Sequence, residues 1–193
     1  SRGLGDVSKR QLLGDPADLL VTIKLEDHPM IAPASGFPGG FVMGANLAFT
    51  ADVRDRVGLF DERFGAGAPF RAAEDTDYLL RAQAAGIALR YEPHFVVDHH
   101  HGRRLAAEER ALLAGYSVGD GALYAKFLFK DRRVLRYLMQ DVGSLRLDLL
   151  RPVRAHKSIR AFYTFCLRHK LIGMAAFLTA SARSGRRPTD QYG

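Results

Sequence analysis

The 193 residues hold one cysteine and no tryptophan. Cys166 has no internal partner for a disulfide and no second cysteine for zinc-finger spacing, so the default setting is reducing and cytosolic. Long apolar runs are also missing. The longest nearly apolar stretch, Leu171 to Ala180, covers ten residues, against the roughly 20 that cross a bilayer. No cationic leader followed by an apolar run opens the chain. It begins at Ser1 rather than Met, which reads as a piece of a longer protein. Eight prolines and 25% charged residues exclude collagen-like, coiled-coil and low-complexity classes.

An apolar content of 47% at this length suits one domain, or one domain with an appendage, around a real core. Charge is unevenly spread. Residues 1–100 carry 10 basic and 14 acidic side chains, and residues 101–193 carry 18 and 7, so the net charge of +7 arises entirely in the second half. That half calls for an anionic partner, either nucleic acid or an acidic membrane surface.

Residues 1 to about 40 are broken by Gly14-Asp15-Pro16, His28-Pro29, Ala32-Pro33 and Ser35-Gly36-Phe37-Pro38-Gly39-Gly40, which reads as loop with one strand at 19–25. The run from Phe41 to Phe49 predicts a buried strand whose Gly44 marks a bulge or a close approach by a ligand or another backbone. A helix then runs from Thr50, its N-cap, to Gly58, its terminator. The small-residue loop 64–73 ends on Glu74-Asp75-Thr76-Asp77, and a helix over 78–86 follows with acids in its first turn. Strands are expected at 87–91 and 95–97, the second leading into Asp98-His99-His100-His101. Beyond Gly102 the pattern turns helical and basic, over 105–114, 122–139 and 157–182, with breaks at Gly119-Asp120-Gly121 and Arg151-Pro152. In the last helix Ile159, Phe162, Tyr163, Cys166, Leu167, Met174, Phe177 and Leu178 form an apolar stripe, with Arg160, Thr164 and Arg168 opposite.

Three groups of residues invite chemistry. Taking a proton from a hydroxyl needs a carboxylate at the rim of a pocket, and either Asp75 or Glu74 fits; acids of this kind also simply decorate helix N-termini. His99 and His101 share a face by strand parity and suit a divalent metal, although the run equally suits a solvated loop beside Arg103 and Arg104. The basic helices lack the base-stacking aromatics of a nucleic-acid reader. An anionic membrane surface and an ordinary packed helix both remain open.

Gly44-Ala45-Asn46-Leu47-Ala48-Phe49, Val57-Gly58-Leu59-Phe60-Asp61-Glu62, Glu74-Asp75-Thr76-Asp77-Tyr78-Leu79-Leu80-Arg81, Ala85-Gly86, Tyr91-Glu92-Pro93 and His99 occur in this order. Together, over about residues 30–104, they resemble the C-terminal half of the catalytic domain of family 2 glycosyltransferases of the GT-A fold. The resemblance implies an α/β chain: residues 1–104 as the C-terminal, acceptor and catalytic-base half of a Rossmann-like mixed-sheet domain, and 105–193 as a basic amphipathic helical extension. It implies inverting transfer of a sugar from a nucleotide-sugar donor to a hydroxyl acceptor. Asp75 would be the general base, and Glu74 would position the acceptor. Gly44, Ala45 and Asn46 would line the cleft. His99, with His101 as its rival, would help hold a divalent ion, Mn2+ or Mg2+. The segment from Gly115 to Lys126 is similar to the extension of bacterial members that glycosylate cell-envelope or lipid-linked acceptors. This implies a cytoplasmic protein peripheral on the inner face of the membrane, with no nucleic-acid partner.

The chain departs from the family in two places. The family usually has glycine just before the Glu-Asp pair, where this chain has Ala72-Ala73. Nothing in residues 1–40 resembles the family's nucleotide-binding β-α-β half or its Asp-x-Asp motif, and Asp52-Val53-Arg54 does not fit it, so a fragment inactive by itself is expected. Three other classes compete: a non-catalytic membrane or partner module that retains the fold, a metal-dependent hydrolase built on Asp75 and the histidines, and a basic nucleic-acid binder.

Overall fold

The computed structural model describes residues 7–13, 26–99, 102–153 and 159–183. The architecture is mixed α/β and mostly helical, with five α-helices and a small four-stranded sheet. Two compact units divide the chain: Ser1–Glu62 with Glu74–Leu105, and Arg63–Ala73 with Ala106–Gly193. The loop 63–73 clusters with the C-terminal helices rather than with the segments on either side of it.

The first unit contains β1 (Val7–Leu13), β2 (Met30–Ile31), a 3-10 turn (Gly44–Asn46), β3 (Leu47–Ala48), α1 (Ala51–Val57), α2 (Glu74–Ala84) and β4 (Arg90–His99). Its sheet has the order β2-β4-β1-β3, with β1 parallel to β4 and the other pairs antiparallel. The sequence reading has no strand at β1, and its strand at 19–25 lies outside the described residues. Where two strands are expected on either side of Pro93, one continuous β4 forms. Its register on β1 jumps from Glu92 opposite Lys9 to Val96 opposite Arg10, so Pro93, His94 and Phe95 bulge out. Pro93, which has no N–H to give the ladder, thereby sits where none is needed.

The strand expected at 41–49 is mostly replaced by the 3-10 turn, with two residues left to pair with β1. A tight turn closed by Phe41 N–H to Pro38 O and a long-range bond at Gly44, described below, bend this segment away from a ladder. Helix α1 follows its sequence signals: Thr50 stands in extended backbone at its start, without a side-chain cap bond, and Gly58 ends it at φ 83°. Helix α2 begins four residues earlier than expected, at Glu74, with the expected acids in its first turn. It ends with Ile87 N–H to Ala82 O and Gly86 N–H to Gln83 O, the paired bonds of a Schellman motif with glycine at the left-handed position. Tyr78, Leu79 and Ala82 of α2 are fully buried against Val42, Val53, Val57, Ile87 and Leu89. At roughly 1.5–3 kcal/mol for each large side chain, this apolar face fixes α2 and hence the direction of its N-terminus.

The second unit consists of α3 (Ala106–Phe127), α4 (Arg132–Leu150), α5 (Phe162–Arg183) and the loop 63–73. Gly119-Asp120-Gly121, expected to break a helix, lies inside α3. The interruption comes instead at 128–131, where the Asp131 carboxylate caps Arg133 N–H at the start of α4. The glycines serve close approach. A Cβ on Gly121 would collide with the Lys170 carbonyl of α5, and one on Gly173 of α5 would collide with the Val118 carbonyl of α3. The two helices therefore cross backbone to backbone. A Cβ on Gly119 would lie 2.7 Å from the Ala72 carbonyl carbon, so the same helix seats the loop. Phe64, Phe70 and Phe177 pack as a ring cluster with centroids 5.2–6.4 Å apart.

Lys170, 8% exposed, bonds Asp141 of α4 at 2.7 Å and the Tyr124 hydroxyl of α3 at 3.3 Å. Burial, with the charges of Asp120 and Asp141, pushes the Tyr124 phenol above its usual range. Between α4 and α5, the buried Asp148 accepts from Val153 N–H and from the N–H and hydroxyl of Thr164. Burial alone would raise its pKa; the hydrogen bonds outweigh it and hold the carboxyl below its ordinary range. The buried face of α5 runs through Phe165, Lys170, Gly173, Phe177 and Ser181. Leu178, expected on the buried stripe, is half exposed, because the close crossing at Gly173 turns that side of the helix outward.

Candidate active site

Asp75 lies in the first turn of α2, half-buried, and its carboxylate is held on both oxygens. Oδ1 accepts from Thr76 N–H at 2.6 Å and from the Thr76 hydroxyl at 3.3 Å, and Oδ2 accepts from Gly44 N–H at 3.0 Å. A Cβ on Gly44 would stand 3.3 Å from the Asp75 Cβ, tighter than most side chains tolerate, so glycine permits the approach. A carboxylate offers about four lone-pair positions. Two on Oδ1 and one on Oδ2 have donors here, which leaves Oδ2 as the atom with room for another proton donor.

Glu74 is the first residue of α2 and is also half-buried. Burial raises its pKa above the ordinary value, its own backbone N–H opposes that, and the adjacent Asp75 charge adds to the rise. The backbone leading into the pair is strained. Arg71 and Ala73 have φ of 66° and 72°, a region costing a residue with a Cβ about 1–2 kcal/mol, and Ala72 N–H closes a three-residue turn on Phe70 O. Ala73 thus takes by strain the conformation that a glycine before the pair would take freely. The packing of the loop against α3 holds that conformation.

The structure brings Gly44 and Asp75 together. Ala45 is exposed on the same 3-10 turn, whereas Asn46 is buried. His99 ends β4 opposite Leu13, and His101 lies outside the described residues. Among the described residues, no three His, Cys, Asp or Glu side chains converge to hold a metal ion, so these residues form no metal site by themselves. No family model, curated protein or solved structure matches this chain.

Two contributors are invisible to motif reading. Thr76 orients the Asp75 carboxylate through a short-range bond that only the helix start creates. Arg81 acts at longer range: it bonds Asp77 at 3.0 Å, Val57 O at 2.6 Å and Leu59 O at 2.9 Å. Asp77 is fully buried and the Arg81 side chain is 8% exposed. The guanidinium satisfies carbonyls at the end of α1 while pairing one turn along α2, and so ties the helix bearing Asp75 to its neighbour. The i, i+4 spacing of Asp77 and Arg81 is legible in sequence, but the carbonyls that complete the fork are not.

Proposed function

We propose that this chain carries the catalytic-base side of an inverting glycosyltransferase with the GT-A fold. The observation that supports it is the grip of Gly44 N–H on Asp75 Oδ2, which joins two separated motifs of the resemblance at one carboxylate. In this reading the acceptor hydroxyl lies at the open side of Oδ2. Its oxygen attacks the anomeric carbon, and its proton passes to Oδ2. The bond from that carbon to the nucleoside diphosphate breaks on the opposite face, so the diphosphate carries away the electron pair and the centre inverts. Glu74, beside Asp75 at the start of α2, positions the acceptor by hydrogen bonding. The resemblance implies a divalent ion, Mn2+ or Mg2+, on the leaving diphosphate; the described residues of this chain do not form its site by themselves. The acceptor class is a saccharide, free or lipid-linked.

The test is Asp75→Asn in the protein expressed from its complete gene, assayed for release of nucleoside diphosphate from a panel of nucleotide-sugars. Loss of a general base lowers the rate on the order of 10²-fold or more, with donor binding retained. Transfer at the parent rate by Asp75→Asn would refute the assignment, and donor binding with no transfer by the parent would favour the non-catalytic module.

A further inference from the structure

Helix α4 buries little of itself. Val134 and Asp148 are its buried residues, and its other inward acid, Asp141, is bonded to Lys170 and Tyr124. The opposite face is apolar and open: Leu135 is 46% exposed, Met139 62%, Val142 45%, Leu149 85% and Leu150 84%. Steps of four, three and seven residues from Leu135 to Leu149, with Leu150 beside it, keep these on one stripe about 22 Å long at 1.5 Å per residue. The charges on that side have one sign. Arg132, Arg136 and Arg146 lie on the stripe or beside it, with Arg151 just past the helix end, all exposed. Asp131, at the start, is engaged with Arg133. An open depression lined by Leu147, Leu150, Arg151, Pro152, Val153 and Arg160 continues the stripe at its C-terminal end.

We infer that this face of α4 is a docking surface for an anionic membrane, with the helix lying in the plane of the lipid headgroups. An apolar stripe bordered only by arginines matches both halves of such a surface: leucine and methionine enter the acyl boundary while the guanidinium groups reach lipid phosphates. A second copy of the chain fits worse, because an isologous contact through this face would set arginines against arginines. Nucleic acid would use the charge and leave the leucines in water. No helix among the described residues is long and apolar enough to cross a membrane, so attachment through α4 would be at the surface. This inference does not depend on the transferase reading.

The absence of tryptophan supplies the probe. In the whole chain, Met139→Trp places one indole on the proposed face, and Leu178→Trp places one on the exposed side of α5. With vesicles of phosphatidylcholine and phosphatidylglycerol at low salt, Met139→Trp emission should shift to the blue and the chain should float. Vesicles of phosphatidylcholine alone should do neither. Each arginine near an anionic surface is worth about a factor of five in partition, so Arg132→Gln/Arg136→Gln/Arg146→Gln should weaken binding about 100-fold. These positions are exposed, and an unchanged circular dichroism spectrum shows that the fold is kept. The inference falls if the parent does not float, if it floats equally on neutral vesicles, or if the shift appears at Leu178→Trp and not at Met139→Trp. It also falls if a DNA or RNA probe binds where vesicles do not, or if Met139→Arg abolishes a dimer formed without lipid.

Discussion

Gly121→Ala is the sharpest test of the helical unit, because helix propensity and packing predict opposite signs. In an open helix, alanine for glycine stabilises by about 1 kcal/mol. Gly143 in α4 is such a site, with nothing within 4 Å of an added Cβ. At Gly121 the added Cβ would lie 2.5 Å from the Lys170 carbonyl carbon, against about 3.5–4.0 Å for an ordinary carbon contact. The obstacle is backbone, so no side chain can rotate away. Helices α3 and α5 must separate by about 1 Å or more, and the contacts around Leu123, Phe165 and Phe177 loosen with them. Overpacking of this kind typically costs 1–3 kcal/mol and occasionally more; a carbonyl obstacle belongs at the upper end, leaving a net loss of about 2 kcal/mol after the propensity gain. At about 2–4 °C per kcal/mol for a chain of this size, thermal unfolding followed by circular dichroism should show Gly143→Ala raised by about 2–4 °C and Gly121→Ala lowered by about 4–8 °C. Gly173→Ala should behave like Gly121→Ala. If Gly121→Ala unfolds at or above the parent temperature, the close crossing of α3 and α5 is wrong.

Two further outcomes follow from the first unit. Arg81→Met takes the guanidinium from a fully buried Asp77 and from two carbonyls, a change worth about 3–5 kcal/mol for a buried pair. Asp77→Leu/Arg81→Met should recover much of that in urea titrations, and a single variant within about 1 kcal/mol of the parent would contradict the network. Glu74→Gln tests the raised carboxyl through pH. The folded state holds its proton to higher pH than the unfolded state, so stability falls as pH rises from about the ordinary value of 4.5 through the folded pKa. Glu74→Gln should therefore unfold at a higher temperature than the parent at pH 7 and at the same temperature at pH 4. An equal difference at both pH values would rule out ionisation as the cause.

Local signals in the sequence were enough for α1, for the glycine-terminated end of α2, for the break at Arg151-Pro152 and for the acids at the head of α2. Each depends on φ, a cap or a helix end, which a few neighbouring residues decide. Tertiary packing decided the rest. Gly119-Asp120-Gly121 reads as a break until α5 and the loop 63–73 are set against it, since a glycine that ends a helix and one that admits a neighbouring backbone look alike in one dimension. The run from Phe41 to Phe49 reads as a strand until Asp75, thirty-one residues on, draws Gly44 into a turn. Ala73 looks like a poor substitute for glycine until its φ of 72° shows the same conformation held by packing. Residue types left Asp75 and Glu74 as candidate bases and the resemblance singled out Asp75; only the fold supplied the donors that aim its carboxylate, because a hydrogen bond across the chain needs both ends placed in space.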